Sequence, residues 1–283
     1  MRKNLLVILL AFSFSAQAQV KILFDATKAE MAGNADWVID ADQFNLGYNS
    51  SGAMVTGAGN EANPQRIPTG AQSNITSTTS ETYWKGALSS WAVDLVKKGY
   101  IVETLPYNGQ ITYGVTTNAQ DLSNYKVFVI DEPNILFSSA EKAALLNFVK
   151  NGGGLFMISD HTVSDRNNDG WDSPAIWNDF MTNNGSVSNP FGISFDLQNF
   201  SQTTTNIANI SASTILHGSL GNVTGLVFSN GTSMTLNKTK NSTVTGLIYK
   251  TGASTTGTTN VVFASAQYGA GKVCAIGDSS PMD

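Results

Sequence analysis

His161 and His217 are the only two histidines in a chain of 283 residues, and each sits in a short, distinctive run. His161 closes the stretch Gly152-Gly153-Gly154-Leu155-Phe156-Met157-Ile158-Ser159-Asp160-His161, in which a glycine turn feeds an apolar segment that ends on Asp-His. His217 stands in Leu216-His217-Gly218. Imidazole ionises near neutral pH, so it can take up or release a proton during a reaction. Together with carboxylates it also suits zinc or another transition metal. Carboxylates close other apolar runs: Asp25 follows Val20 to Phe24, Asp131-Glu132 follows Lys126 to Ile130, and Asp278 follows Lys272 to Ile276. The candidate catalytic set is therefore His161, His217, Asp25, Asp160 and Asp278. Neighbouring residues of an extended strand face opposite sides. The spacing thus favours a composite site over an Asp160–His161 dyad: His161 as base or metal ligand, with Asp25, Asp278 or His217 supplied by neighbouring strand ends.

A second chemistry follows at once. Asp165, Asn167 and Asp169 occupy positions 1, 3 and 5 of a run whose sixth residue is Gly170, and Trp171 can offer its carbonyl at position 7. Alternate oxygen ligands with a glycine at the bend match the start of a calcium loop. Position 12 is Ile176 rather than a bidentate Glu, so Asp172 or Asp179 must supply the missing carboxylate. The expected ligands are Asp165, Asn167, Asp169, Trp171 and Asp172, holding a structural Ca²⁺. The bland alternative is an Asx-rich turn bonded to its own backbone.

Other nucleophiles are poorly placed. Cys274 is the single cysteine, so no intramolecular disulfide forms, and its apolar run reads as core. Ser159, Ser279 and Ser280 lack a Gly-x-Ser-x-Gly context. Trp84 and Trp91 read as helix core; Trp171 and Trp177 flank the oxygen-rich loop, where packing outweighs a cleft-lining role.

These groups need a scaffold, and the pattern supplies one. Val20 to Phe24, Tyr100 to Leu105, Lys126 to Ile130 and Leu155 to Ile158 read as short buried strands. Between them, Trp84, Leu88, Trp91 and Leu95 recur at helical spacing, which predicts a helix over Glu81 to Lys98, N-capped by Ser80 and stopped by Gly99. Ala140 to Lys150 reads as a second helix, capped by Ser138 or Ser139, with Glu141 in its first turn. Strand–helix alternation implies a parallel sheet, and ligands of such sheets sit beyond the strands' carboxyl ends. The second half turns β-rich. Ser173 to Asn183 reads as a short helix and Asn199 to Ser213 as a polar loop. Gly192 to Phe195, Leu226 to Phe228, Ser233 to Leu236, Thr243 to Tyr249, Val261 to Ala266 and Lys272 to Ile276 read as strands. Asn45 to about Thr79 reads as a long Gly/Ser/Thr/Asn-rich loop, a length that in compact domains usually serves function.

Composition sets the outer bounds. Hydrophobic residues make up 41% of the chain, enough for a real core. Charged residues are only 13%, with a net charge of −5, so no basic surface recruits nucleic acid. Arg2 and Lys3 precede an apolar run from Leu5 to Phe14, too short to span a bilayer at about ten residues. Ala16-Gln17-Ala18 fits a cleavage site, so residues 1–18 read as a signal peptide and 19–283 as one domain, exported and free of the membrane after cleavage. The chain stops at Asp283 directly after the last strand motif, leaving room for a further C-terminal segment in the natural protein.

Taken in order, the glycine turn, the strand closing on Ser-Asp-His, Leu216-His217-Gly218 and the final Gly-x-Gly-Lys-Val-x-x-x-Gly-Asp resemble the class I glutamine amidotransferase-like superfamily. The nearest likeness is to its DUF4350 and ThuA-like members, over about Lys21 to Asp278. That resemblance implies a flavodoxin-like three-layer α/β sandwich with a mainly parallel central sheet, here with β-rich C-terminal additions. Glutamine amidotransferases carry a nucleophilic cysteine at the turn after the strand that here ends in Ser159-Asp160. This chain has none there, which excludes glutaminase chemistry. Two readings remain. One is an exported hydrolase acting on a small molecule or glycan through the His/Asp set, with or without a metal. The other is a non-catalytic, Ca²⁺-stabilised surface or glycan-binding module.

Overall fold

A computed structural model describes residues 19–33, 35–40, 65–219 and 221–282. The expected leader, and residues 45–64 of the expected long loop, lie outside them. Strands and helices run in the order β1 (Lys21–Asp25), α1 (Ser89–Lys97), β2 (Ile101–Leu105), β3 (Val127–Asp131), α2 (Ser139–Lys150), β4 (Gly154–Ile158) and α3 (Ser173–Thr182). The β-rich half follows as β5 (Ile193–Phe195), β6 (Phe200–Thr204), β7 (His217–Gly218), β8 (Gly221–Asn222), β9 (Leu226–Gly231), β10 (Met234–Leu236), β11 (Thr245–Tyr249), β12 (Val261–Tyr268) and β13 (Gly271–Ile276).

The main sheet has nine strands in the order β2-β1-β3-β4-β13-β12-β10-β5, with β11 also paired to β12. The five strands from β2 to β13 are mutually parallel. From β12 onward every pairing is antiparallel. The order β2-β1-β3-β4-β13 is that of the flavodoxin-like doubly wound fold, which reverses direction between β1 and β3. The chain is thus a flavodoxin-like α/β protein with an antiparallel C-terminal extension of the same sheet.

The parallel strands are continuous apolar runs because both faces are covered. Leu23, Phe128, Ile130, Leu155, Met157, Val273 and Ala275 pack on one face with α2 and α3. Ile22, Phe24, Val102, Val129, Ile158 and Ile276 pack on the other beneath Leu88, Ala92 and Val93. Burial of this kind contributes about 25 cal/mol per Å² of apolar surface and is the main term holding the layers together.

Three elements differ from the sequence expectation. The helix expected over 81–98 is regular only from Ser89, and its N-cap is Leu88 rather than Ser80. The reason is competition for backbone donors. The N–H groups of Gly86, Ala87 and Leu88 bond to the carbonyls of Ile39, Asp36 and Val38 instead of closing helical turns. Gly86 permits that contact: a Cβ there would lie 1.9 Å from the Val38 oxygen. Next, the expected strand–helix alternation breaks between β2 and β3, which are joined by irregular chain with a single 3-10 turn at Leu122–Asn124. Asp121 organises this connection, accepting bonds from the backbone of Gly114, Val115 and Ser123 and from the Thr112 and Ser123 hydroxyls. Finally, the expected polar loop 199–213 contains β6, which pairs antiparallel with β9. Its inward positions Gln202 and Thr204 are themselves polar and so conceal the alternation. The expectation for α2 holds in detail: Ser138 and Glu141 form a reciprocal capping box.

Candidate functional site at the carboxyl rim of the sheet

Parallel pairing fixes where the strands end. Asp25 is level with Leu105, Asp131 with Ile158, and Ile158 with Ile276. The acidic residues closing β1, β3, β4 and β13 therefore emerge on one rim, beside the β1/β3 reversal where ligands of such folds bind.

At the end of β4 the chain leaves the ladder after Ile158, so strand alternation no longer separates Asp160 from His161. Their side chains meet, with Nδ1 of His161 2.9 Å from Oδ1 of Asp160. The expectation that these neighbours point apart is thereby corrected. The other Asp160 oxygen accepts from Nη2 of Arg166 at 3.2 Å. Arg166 also donates through Nε to Oε1 of Glu132, whose Oε2 accepts from the Ser279 hydroxyl at 3.3 Å. The result is a chain of contacts His161–Asp160–Arg166–Glu132–Ser279 running across the ends of β4, β3 and β13. His161 ends this chain and is partly open, its side chain keeping 19% of its exposure whereas that of Asp160 keeps 4%; Arg166 in the middle is also partly open.

Asn134 holds the three loops together. It is fully buried. Its N–H donates to the Lys28 carbonyl after β1, its amide donates to the Glu132 carbonyl, and its side-chain oxygen accepts from the Arg166 N–H. Glu132 itself is left-handed at φ 48°, a conformation costly for a residue with a side chain and often found at functional turns. On the far side, Asp278 accepts from the N–H groups of Ser229 at 2.5 Å and Ser280 at 3.0 Å. Gly277 allows this packing, because a Cβ there would lie 1.9 Å from the Thr232 oxygen.

The electrostatics follow from burial and crowding. The hydrogen bond to Asp160 raises the His161 pKa above that of free imidazole, against the opposing effect of burial. Desolvation pushes Glu132 up to about 8, reinforced by Asp160 and opposed by Arg166. Asp278 rises to about 6, chiefly through burial. Asp131 stands well above the ordinary carboxylate range, through burial first and then through Glu132, Asp160 and Asp278. At the end of β1, Asp25 accepts from the Thr27 N–H at 3.0 Å. Burial lifts it to about 6, and burial plus Asp25 lifts the wholly buried Glu30 further above its usual range.

Of the candidate residues, the structure brings His161, Asp160 and Asp278 into one region, with Asp25 on the same rim in its own group with Lys28 and Glu30. His217 is not joined to them. It lies exposed on the β7–β8 hairpin, with Nδ1 2.9 Å from the Asn222 side-chain oxygen. No signal in the sequence marked Arg166 or Asn134, whose roles arise only when loops distant in sequence meet.

The oxygen-rich loop is stitched to itself. The Asp165 carboxylate accepts from the N–H groups of Asp169 and Gly170, and Asp169 accepts from the Trp171 N–H and the Asn167 amide. Asp172 caps α3 through the Ala175 N–H and holds Thr162 and Val163. These are Asx-turn and N-cap contacts. Among the described residues, no group of three or more His, Cys, Asp or Glu side chains is already arranged to hold a metal ion. Trp177 is core, its indole donating to the Ile158 carbonyl, whereas Trp171 is 38% exposed. Burial pushes the Cys274 thiol up to about 11, which keeps it protonated and unreactive at neutral pH. Among the described residues, no helix is long and apolar enough to cross a membrane.

No family model matches the chain, and no curated protein matches it. Several solved structures are similar. The N-terminal domain of mmIFT52 is 14% identical, with 66% of this chain and 76% of that one covered and a TM-score of 0.45. A protein described as ThuA-like from Bacteroides uniformis is 12% identical, covering 94% and 86%, with a TM-score of 0.39. A β-galactosidase from Rahnella sp. R3 is 14% identical with a TM-score of 0.40; 94% of this chain is covered but only 30% of that one. The fold assignment rests on strand order and direction, and no activity is carried over from these proteins.

Proposed function

We propose that the protein is an exported hydrolase of a small molecule or glycan, with His161 as the general acid–base group. One observation carries this reading: the 2.9 Å contact between His161 Nδ1 and Asp160 Oδ1, with Asp160 itself held by Arg166. Asp160 fixes the ring's orientation and favours its protonated form. The ring sits at a partly exposed end of the network, on the rim where doubly wound sheets bind ligands. The neutral imidazole there takes a proton from water as that water attacks the scissile centre, and the imidazolium so formed hands the proton to the departing group; such catalysis is typically worth 10²–10⁴-fold. Export rests on the leader-like residues 1–18 and is checked by sequencing the N-terminus of the mature protein.

The test is a chromogenic panel of esters, phosphoesters, glycosides and amides with wild type and His161→Ala. We expect one class to be turned over and the variant to lose at least about a hundredfold. An activity that survives in His161→Ala would remove the dyad from the mechanism.

A further inference from the structure

Four carboxylates crowd the rim around one guanidinium, and three of them are fully engaged. Glu132 uses both oxygens, toward Arg166 and Ser279. Asp160 uses both, toward His161 and Arg166. Asp278 uses both, toward the N–H groups of Ser229 and Ser280. Asp131 uses neither. Its Oδ1 and Oδ2 are both buried and have no hydrogen-bond partner among the described residues, although the residue is only 2% exposed.

This is a costly arrangement unless something completes it. A buried polar group without a partner loses the full value of its hydration, and a buried charge loses more. Asp131 closes β3 at the reversal point of the sheet. The interactions that reach it from Glu132, Asp160 and Asp278 are all repulsive, with Arg166 opposing them. Fully ionised, the four carboxylates exceed the Arg166 charge by three. A nearby positive charge would relieve both the repulsion and the unmet oxygens.

We propose that Asp131 binds a compact cation with hard, oxygen-seeking chemistry: a divalent metal ion or the ammonium group of a ligand. Asp131 supplies the free oxygens. Glu132, Asp160 and Asp278 contribute field rather than ligation, because their oxygens are already taken. The site is separate from the Asp165–Asp172 loop, where the three aspartates are occupied by backbone donors or the Asn167 amide. It stands independently of the proposed hydrolysis, since it needs no turnover to be observed.

The experiment is thermal unfolding of the full chain in chelator-treated buffer at constant ionic strength, titrated separately with MgCl₂, CaCl₂, MnCl₂ and methylammonium chloride. Calorimetric titration of the same cations into folded protein runs alongside. Wild type, Asp131→Asn, Asp278→Asn and Asp169→Asn are compared. A ligand at a hundredfold excess over its dissociation constant should raise the melting temperature of wild type by roughly 5–10 °C. The response should vanish in Asp131→Asn, weaken in Asp278→Asn and persist in Asp169→Asn. Without added cation, Asp131→Asn should melt higher than wild type, because the raised pKa of Asp131 is a cost of folding that Asn does not carry. A response to the divalent ions alone identifies a metal site, and one to methylammonium alone an ammonium site. If no cation shifts wild type and none gives binding heat, the proposal is overturned, and Asp131 is carried as a buried neutral acid. It is equally overturned if the response survives in Asp131→Asn, or is lost in Asp169→Asn. Should Asp131→Asn not fold, the Asp278→Asn titration and the wild-type calorimetry decide.

Discussion

His161 and Asp160 are adjacent in the chain, yet their side chains bond to each other at 2.9 Å. This geometry is open to them because β4 has already ended at Ile158. The contact raises the imidazole pKa, with the Asp160 hydrogen bond outweighing burial. Replacing Asp160 by Asn keeps the shape and removes the charge. The ring pKa in Asp160→Asn should therefore fall below that of wild type, followed by NMR titration of the imidazole C–H resonances. Since the chain has only two histidines, the His217 signal serves as an internal control that should not move. Identical titration curves for His161 in both proteins would show that Asp160 does not govern it.

Arg166 answers two buried acids at once. Its side chain is 30% exposed, while those of Glu132 and Asp160 are 0% and 4%. Removing it leaves two desolvated acids facing each other. Breaking a buried ion pair from one side costs about 3–5 kcal/mol. Arg166→Met should therefore lower the unfolding free energy by about 3 kcal/mol in urea titrations at pH 7. Part of that loss should be recovered in Arg166→Met/Glu132→Gln, which also removes the acid left without its partner. A double variant no more stable than the single would argue that Arg166 acts through packing of its stem alone.

The rim was legible in the sequence to the extent that it depends on strand ends. Short apolar runs closing on Asp25, Asp131 and Asp278 announce parallel strands and their ligand-facing edge, and pairing confirms that edge. What could not be read are contacts made by residues after a strand stops. Asp160 and His161 follow no periodicity there, and the alternation rule gives the wrong answer. Arg166 falls in a stretch whose Asp and Asn spacing suggests an ion loop, which hides its reach back to Glu132. Helical spacing misplaces the start of α1 for a related reason: the N–H groups of 86–88 find carbonyls in the 36–39 segment, a competition invisible to that spacing.

Asp121 is the structural counterpart of the rim acids. It is 1% exposed, but five donors from 112–123 converge on its carboxylate. Those bonds hold its pKa well below the usual range, against the cost of burial. Asp121→Ala deletes the hub and strands several backbone N–H groups. We expect a loss of about 2–3 kcal/mol in chemical denaturation, since each unsatisfied buried donor costs about 1–3 kcal/mol. Asp121→Asn should lose less, because one oxygen still accepts. An Asp121→Ala protein within about 0.5 kcal/mol of wild type would mean that the β2–β3 connection is held by other contacts.

Asp25 should make the protein less stable as pH rises through the acid range. Its usual pKa of 3.8 is lifted by burial to about 6 in the folded chain. Below pH 4 the carboxyl is protonated in both states and costs nothing. Between pH 4 and 6 the unfolded chain releases this proton while the folded chain keeps it, so unfolding is favoured progressively. Above pH 6 both have released it, and the accumulated cost is constant. A shift of about two pKa units corresponds to about 3 kcal/mol, fully expressed by pH 7. Glu30, raised by burial and by Asp25, extends the same trend to higher pH. Asp25→Asn keeps an acceptor for the Thr27 N–H and cannot ionise. Its stability relative to wild type should therefore rise steadily from pH 4 to 6.5, measured as urea unfolding free energies at half-unit steps. A difference that stays flat over that window would show that Asp25 ionises in the folded protein as freely as in the unfolded chain.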